Sequence, residues 1–242
     1  GSEVTPVAVI TTGETTKAGV SSAVLLPDVA VLDADLTLGL PPSVTAMTGV
    51  DAMVHAIEAY TSKHKKNPLS DNLAKQALSL LSRNIRTAVL EGGNREARAN
   101  MLLGAMLAGQ AFANAPVGAV HALAYPLGGH YHIPHGLSNS LVLPSVLEFN
   151  APEASHLYAE LAEIVIGEPV VGDDQAKTSA LIDALRTLIS DVSLPATLQD
   201  AGVKEEDLEM LSKDAMLQQR LLMNNPREVT YEDARAIYRA AY

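Results

Sequence analysis

Two periodicities divide the chain. Residues 4–11 (VTPVAVIT) and 19–32 (GVSSAVLLPDVAVL) are dense in Val and Leu between short breaks, which predicts strands. Thr11-Thr12-Gly13 and Pro27-Asp28 predict turns between them. After Asp33 the spacing of apolar residues lengthens to the helical period. Pro41-Pro42-Ser43 starts a helix that runs to about Ser62. A polar loop (63–67) separates it from a long helix opened by Ser70 and stopped by Gly92-Gly93. A third helix runs from Asn94 to about Ala113, with small residues at 104, 105, 108 and 109 suited to close packing. A short helix spans 117–124, ended by Pro126 and Gly128-Gly129. Further helices are predicted at 136–148, 151–166, 175–191, 205–215 and 231–241, the last capped by Thr230. The pattern therefore predicts an all-α body from residue 41 to 242, preceded by a short β fragment over 1–40. Two or three strands make a poor sheet alone, so that fragment reads as the edge of a larger α/β sheet.

Composition narrows the function classes. The chain has 242 residues, 48% of them hydrophobic and 19% charged, enough for a sizeable core. Its net charge is -11, and no basic run exceeds the HKK at 64–66, which argues against nucleic acid or an anionic membrane surface as partner. No 18-residue apolar run and no signal peptide are visible, so a cytoplasmic location is expected. The absence of Cys excludes disulfides, thiolate ligands and a Cys nucleophile.

Candidate chemistry concentrates in two stretches. Residues 118–136 (GAVHALAYPLGGHYHIPHG) hold four of the seven histidines: His121, His130, His132 and His135. Residues 49–60 (GVDAMVHAIEAY) place Asp51 and His55 four apart, on one helix face. One carboxylate and three imidazoles suit Fe(II) or Zn(II). A lone His in an apolar helix is ordinarily a hydrogen-bonded core residue, and HYHIPH also reads as a solvated loop. Spacing alone leaves both readings open. Glu58, three after His55, reads as a ligand-orienting residue or, preferably, as a surface ion-pair partner. No GxGxxG or GxxxxGK[ST] phosphate loop occurs anywhere.

Over nearly its whole length the chain resembles the iron-dependent, or group III, alcohol dehydrogenases. The text that carries the resemblance is LPDVAVLDADLTLGLPPSVTAMTGVDAMVHAIEAYTS (26–62), AGQAFANAPVGAVHALAYPLGGHYHIPHGLSNSLVLP (108–144) and NNPREVTYEDARAIYRAAY (224–242). The resemblance implies an N-terminal α/β nucleotide-binding domain joined to an all-α, dehydroquinate synthase-like metal domain. It implies metal ligation by Asp51, His55, His121 and His135, with Fe(II) as the metal and Zn(II) as the alternative. It implies hydride transfer between NAD or NADP and an alcohol or aldehyde, in a homodimer. Phe112 and Val117 match positions lining the substrate pocket; for Phe112, ordinary core packing is the competing reading. His130 and His132 match no ligand.

Two features depart from the family pattern. The family's GGGS phosphate run is absent, and the chain starts as if within a T-G-T-G-S-E segment, so a truncated form is expected. Lys17 matches a position near the cofactor phosphates; a solvated surface Lys is the competing reading. Tyr125 stands where many members carry a His four residues after the third ligand, and a phenol with a pKa of about 10 is a weaker proton relay. The alternatives are a glycerol-dehydrogenase-like zinc enzyme and a non-catalytic structural or oligomerisation remnant without a cofactor domain.

Overall fold

A helix buried on all sides organises the molecule. Helix α1 (Pro42–Thr61) carries Ala, Val, Met and Ile around its whole circumference, and its last turns are buried on every face. It packs on α2 (Pro68–Leu90), α3 (Arg95–Asn114) and α5 (His135–Ile166). Around that centre come α4 (Ala119–His130), α6 (Asp174–Asp191), α7 (Leu208–Ala215), α8 (Gln219–Leu222) and α9 (Tyr231–Ala240). The computed structural model describes residues 1–11 and 17–242, except for the side chains of 9, 11, 17 and 18. Among these, no single helix is long and apolar enough to cross a membrane.

Helix starts follow local chemistry. Asn67 accepts from the backbone N–H groups of Leu69 and Ser70, and Ser70 returns the favour to the Asn67 backbone. Helix α2 thus starts at Pro68, two residues before the expected Ser70. Thr230 and Asp233 form the same reciprocal cap on α9. Asn94 and Asp173 cap α3 and α6.

Three expectations need correction. Helix α4 runs through Pro126, Gly128 and Gly129 to His130 rather than ending before them. Those three residues are buried against neighbouring helices, and that packing outweighs their poor helix propensity. Helix α5 is one element of 32 residues with Pro144 and Pro152 inside it, not two helices. At the N-terminus, β1 (Val7–Thr11) and β2 (Lys17–Ser21) pair antiparallel, Val7 opposite Ser21 and Thr11 opposite Lys17. The expected strand over 19–32 stops at Ser21 and gives way to a 3-10 turn at Ala23–Leu25. Beyond it Val29 (77% exposed) and Val31 (82%) face outward, with no strand beside them among the described residues. The predicted turn at 11–13 falls mostly outside the described residues, as does the Lys17 side chain.

Candidate metal centre

Four side chains from three helices converge. Asp51 and His55 come from consecutive turns of α1, His121 from the first turn of α4, and His135 is the first residue of α5. One ligand atom from each lies within 4.8 Å of the other three. Asp51 Oδ1 is 3.8 Å from His121 Nε2 and 3.6 Å from His135 Nε2, and Asp51 Oδ2 is 3.9 Å from His55 Nε2. Donors about 2.1 Å from a tetrahedral cation stand about 3.4 Å apart, so this set fits a divalent ion with little adjustment. Its all-nitrogen-and-oxygen chemistry suits Fe(II) or Zn(II).

The centre is graded in exposure. The His121 side chain is 3% exposed, His55 16%, Asp51 17% and His135 39%, so the cluster opens on the His135 side. Phe112 stacks on His55 at 4.5 Å between ring centroids, and His55 stacks on His121 at 4.8 Å. Tyr125 lies one turn after His121, with its ring 6.0 Å from that of His135. Close approach of α5 to α1 depends on Gly136, where a β-carbon would run into the Met47 carbonyl. A cavity of about 620 Å³ adjoins the centre, lined at one end by Asp51, His55, Phe112 and His135. Its walls continue along Gly49, Ala52, Met101 and Ala105 toward Arg98. Val117 is not on that wall; it is buried, and its carbonyl accepts from Asn224.

Beneath the cluster lies a residue whose role the sequence misjudged. Glu58 is not a surface ion-pair partner but is 6% exposed. Its Oε1 accepts the Val120 backbone N–H at 2.7 Å, and its Oε2 lies 2.5 Å from His121 Nδ1. The carboxylate holds the proton on Nδ1, which leaves the Nε2 lone pair facing the other donors. Asn139, one turn after His135 on α5, was not anticipated at all. Its Nδ2 lies 2.5 Å from Asp51 Oδ1. The i,i+4 spacing from His135 was the available signal. His130 and His132 stay outside the cluster: His130 pairs with Asp214 at 2.6 Å, and His132 is exposed with φ of 54°.

Electrostatics set each protonation state. Burial pushes the His55 imidazole down to about 3, only partly opposed by Asp51, so it is neutral at physiological pH. Burial pushes the Asp51 carboxyl up, but the three imidazoles and Asn139 outweigh it and hold it below the usual carboxylate range. Burial pushes His121 down, yet Glu58 more than compensates and the net direction is upward. Burial raises Tyr125 against an opposing effect of Arg220, so its hydroxyl stays protonated at neutral pH.

Known proteins carry the same architecture. The family model described as "Fe-containing alcohol dehydrogenase family, C-terminal" matches residues 45–242. The chain is 44% identical over 242 residues to "Long-chain-alcohol dehydrogenase 1" of Geobacillus thermodenitrificans, covering all of this chain and 61% of that protein. It is 41% identical to "1,3-propanediol dehydrogenase" of Klebsiella pneumoniae, covering all of this chain and 62% of that one. A crystal structure of 1,3-propanediol oxidoreductase superposes with a TM-score of 0.94 at 39% identity, over 99% of this chain and 63% of that one. Sulfoacetaldehyde reductase from Bifidobacterium kashiwanohense, solved with NAD+, superposes at 0.87 and 31% identity, over 99% and 61%. The chain thus spans about three fifths of the length of these relatives, and it belongs to the iron-containing alcohol dehydrogenase family.

Proposed function

We propose that this chain is the metal-holding part of an NAD(P)-linked alcohol dehydrogenase or aldehyde reductase, with Asp51, His55, His121 and His135 binding Fe(II) or, alternatively, Zn(II). The convergence of four donors within 4.8 Å carries this reading. The bound cation supplies Lewis-acid polarisation of the substrate oxygen, and the nicotinamide supplies or accepts the hydride. The chain's own residues do the rest. Asp51 brings the negative charge. His55 and His135 offer imidazoles, and Glu58 presents His121 in the ligating tautomer. Phe112 covers one side of His55 and keeps water from it, while Tyr125 offers a hydrogen bond near the open side. The mostly apolar cavity walls at Ala52, Met101 and Ala105 support an alcohol with an apolar chain. Residues 1–40 belong, on this reading, to the end of a nucleotide-binding domain and 41–242 to the metal domain. Lys17 contacts the cofactor phosphates, and the assembly is a homodimer.

Anaerobic titration with Fe(II) or Zn(II), followed by thermal unfolding, tests the centre. At 100 times Kd the metal adds about 2.7 kcal/mol to stability. Asp51→Asn and His121→Ala are expected to lose that increment. A wild-type chain with no metal-dependent rise in Tm overturns the metal reading. Metal binding without NAD(P)-linked turnover by this chain fits the reading, since most cofactor contacts are assigned outside it. Full turnover by this chain alone overturns that assignment.

A further inference from the structure

We infer that Asn139 is a positioning residue of the metal centre, assembling the ligand set and setting its metal affinity; the inference rests on the metal reading above. Asn139 is fully buried and sits four residues after His135 on α5. Its Nδ2 is 2.5 Å from Asp51 Oδ1, 3.2 Å from His121 Nε2 and 3.3 Å from His135 Nε2. One amide group therefore touches a donor atom from each of the three helices. Two N–H bonds cannot serve three acceptors, and the short contact goes to the charged one. That contact also fixes which way the amide points. Turned over, its oxygen would press against the Asp51 carboxylate.

This orientation leaves Asn139 Oδ1 buried with no hydrogen-bond partner. A buried carbonyl without a partner destabilises the fold, and leucine of similar volume would not carry that burden. The unpaired carbonyl offsets part of what the bond from Nδ2 to the Asp51 carboxylate contributes to folding, so the amide's distinctive work is at the centre. It ties Asp51 on α1 to the helix that presents His135 and aims the carboxylate at the imidazoles. Its contacts to the two imidazoles use the lone pairs a cation would take, so the bond to Asp51 is the one compatible with a loaded site.

Zn(II) affinity measured by competition with a chromophoric chelator, together with Tm in excess EDTA, tests the assignment. Asn139→Leu is expected to weaken Zn(II) binding roughly 10–100-fold. Its metal-free Tm is expected to stay close to the wild-type value, because the lost bond to Asp51 and the removed unpaired carbonyl offset each other. Affinity that falls while stability holds is a result that a packing role does not produce. Unchanged Zn(II) affinity, or affinity lost only in step with Tm, overturns the proposal. Should the leucine variant not fold, Asn139→Ala takes its place: with Tm lowered by the new cavity, affinity still falls 10–100-fold if the proposal holds and stays at the wild-type value if it does not. A wild-type chain that binds no Zn(II) overturns the metal-centre reading and this one with it. Wild-type binding with unchanged variants overturns this one alone.

Discussion

A buried carboxylate against a buried imidazole decides how the centre ionises. Glu58 holds His121 by a 2.5 Å contact, and both are nearly free of solvent. Glu58→Gln keeps the shape and removes the charge, so metal affinity is expected to fall about 10–100-fold in a chelator competition titration. The same substitution has a pH signature in the metal-free protein. His55, held near 3 in the fold, refuses a proton that the unfolded chain accepts below about 6.5, so its contribution to stability falls on acidification. His121, raised in the fold, contributes stability that is fully present below about 6.5 and lost as pH rises through its folded value. The two act in different windows, His55 below about pH 6.5 and His121 above it. Without the Glu58 charge, burial is left to push His121 down as it does His55, so the Tm of Glu58→Gln is expected to drop more steeply than wild type between about pH 6.5 and 4. Parallel curves would show that Glu58 does not support a proton on His121. The convergence of Asp51, His55, His121 and His135 was legible because donor chemistry and spacing are local properties, and the family text agreed with them. Glu58 was not. A carboxylate three residues from a histidine looks solvent-facing in one dimension, and only packing on every side of α1 buries it.

Helix punctuation was the part of the sequence that misled. Pro126, Gly128 and Gly129 predict an end to α4, and residues 149–150 a break in α5, because isolated helices stop at such signals. In the folded chain both run on, held by contacts to their neighbours that no local window reports. Capped starts, by contrast, were readable to within a residue or two, since a cap is made by the residues beside it. Gly136 shows an element-scale constraint on the site. Its missing side chain lets the start of α5 lie on the α1 backbone at Met47, and His135 is its immediate neighbour. Gly136→Ala is expected to destabilise the chain by about 1–3 kcal/mol and to weaken metal binding as His135 is pushed outward. Gly93→Ala is the control. Nothing lies within 4 Å of its added carbon, and both chemical unfolding and metal titration should match wild type closely.

Across the whole molecule, the helical body and the first forty residues differ in kind. The body has a continuous core from Ala46 to Ala241. The N-terminal segment instead turns Val24 (92% exposed), Val29 (77%), Val31 (82%) and Leu36 (83%) to the surface. Exposed apolar residues gathered in one short segment favour association. Val29→Lys with Val31→Lys is expected to reduce light scattering of the purified chain at high concentration, with helical-body stability within about 0.5 kcal/mol of wild type. Undiminished scattering would place the sticky surface elsewhere.

Helix α5 joins these scales. Its 32 residues extend about 48 Å from His135 at the metal cluster. The element is continuous in shape but not in its backbone ladder. Pro144 and Pro152 have no amide hydrogen to return to Ser140 and Glu148. In the language of hydrogen exchange it is three cooperative segments in series. Stripping the metal should therefore speed exchange of the amides between His135 and Leu143, and the effect should fade beyond the first proline.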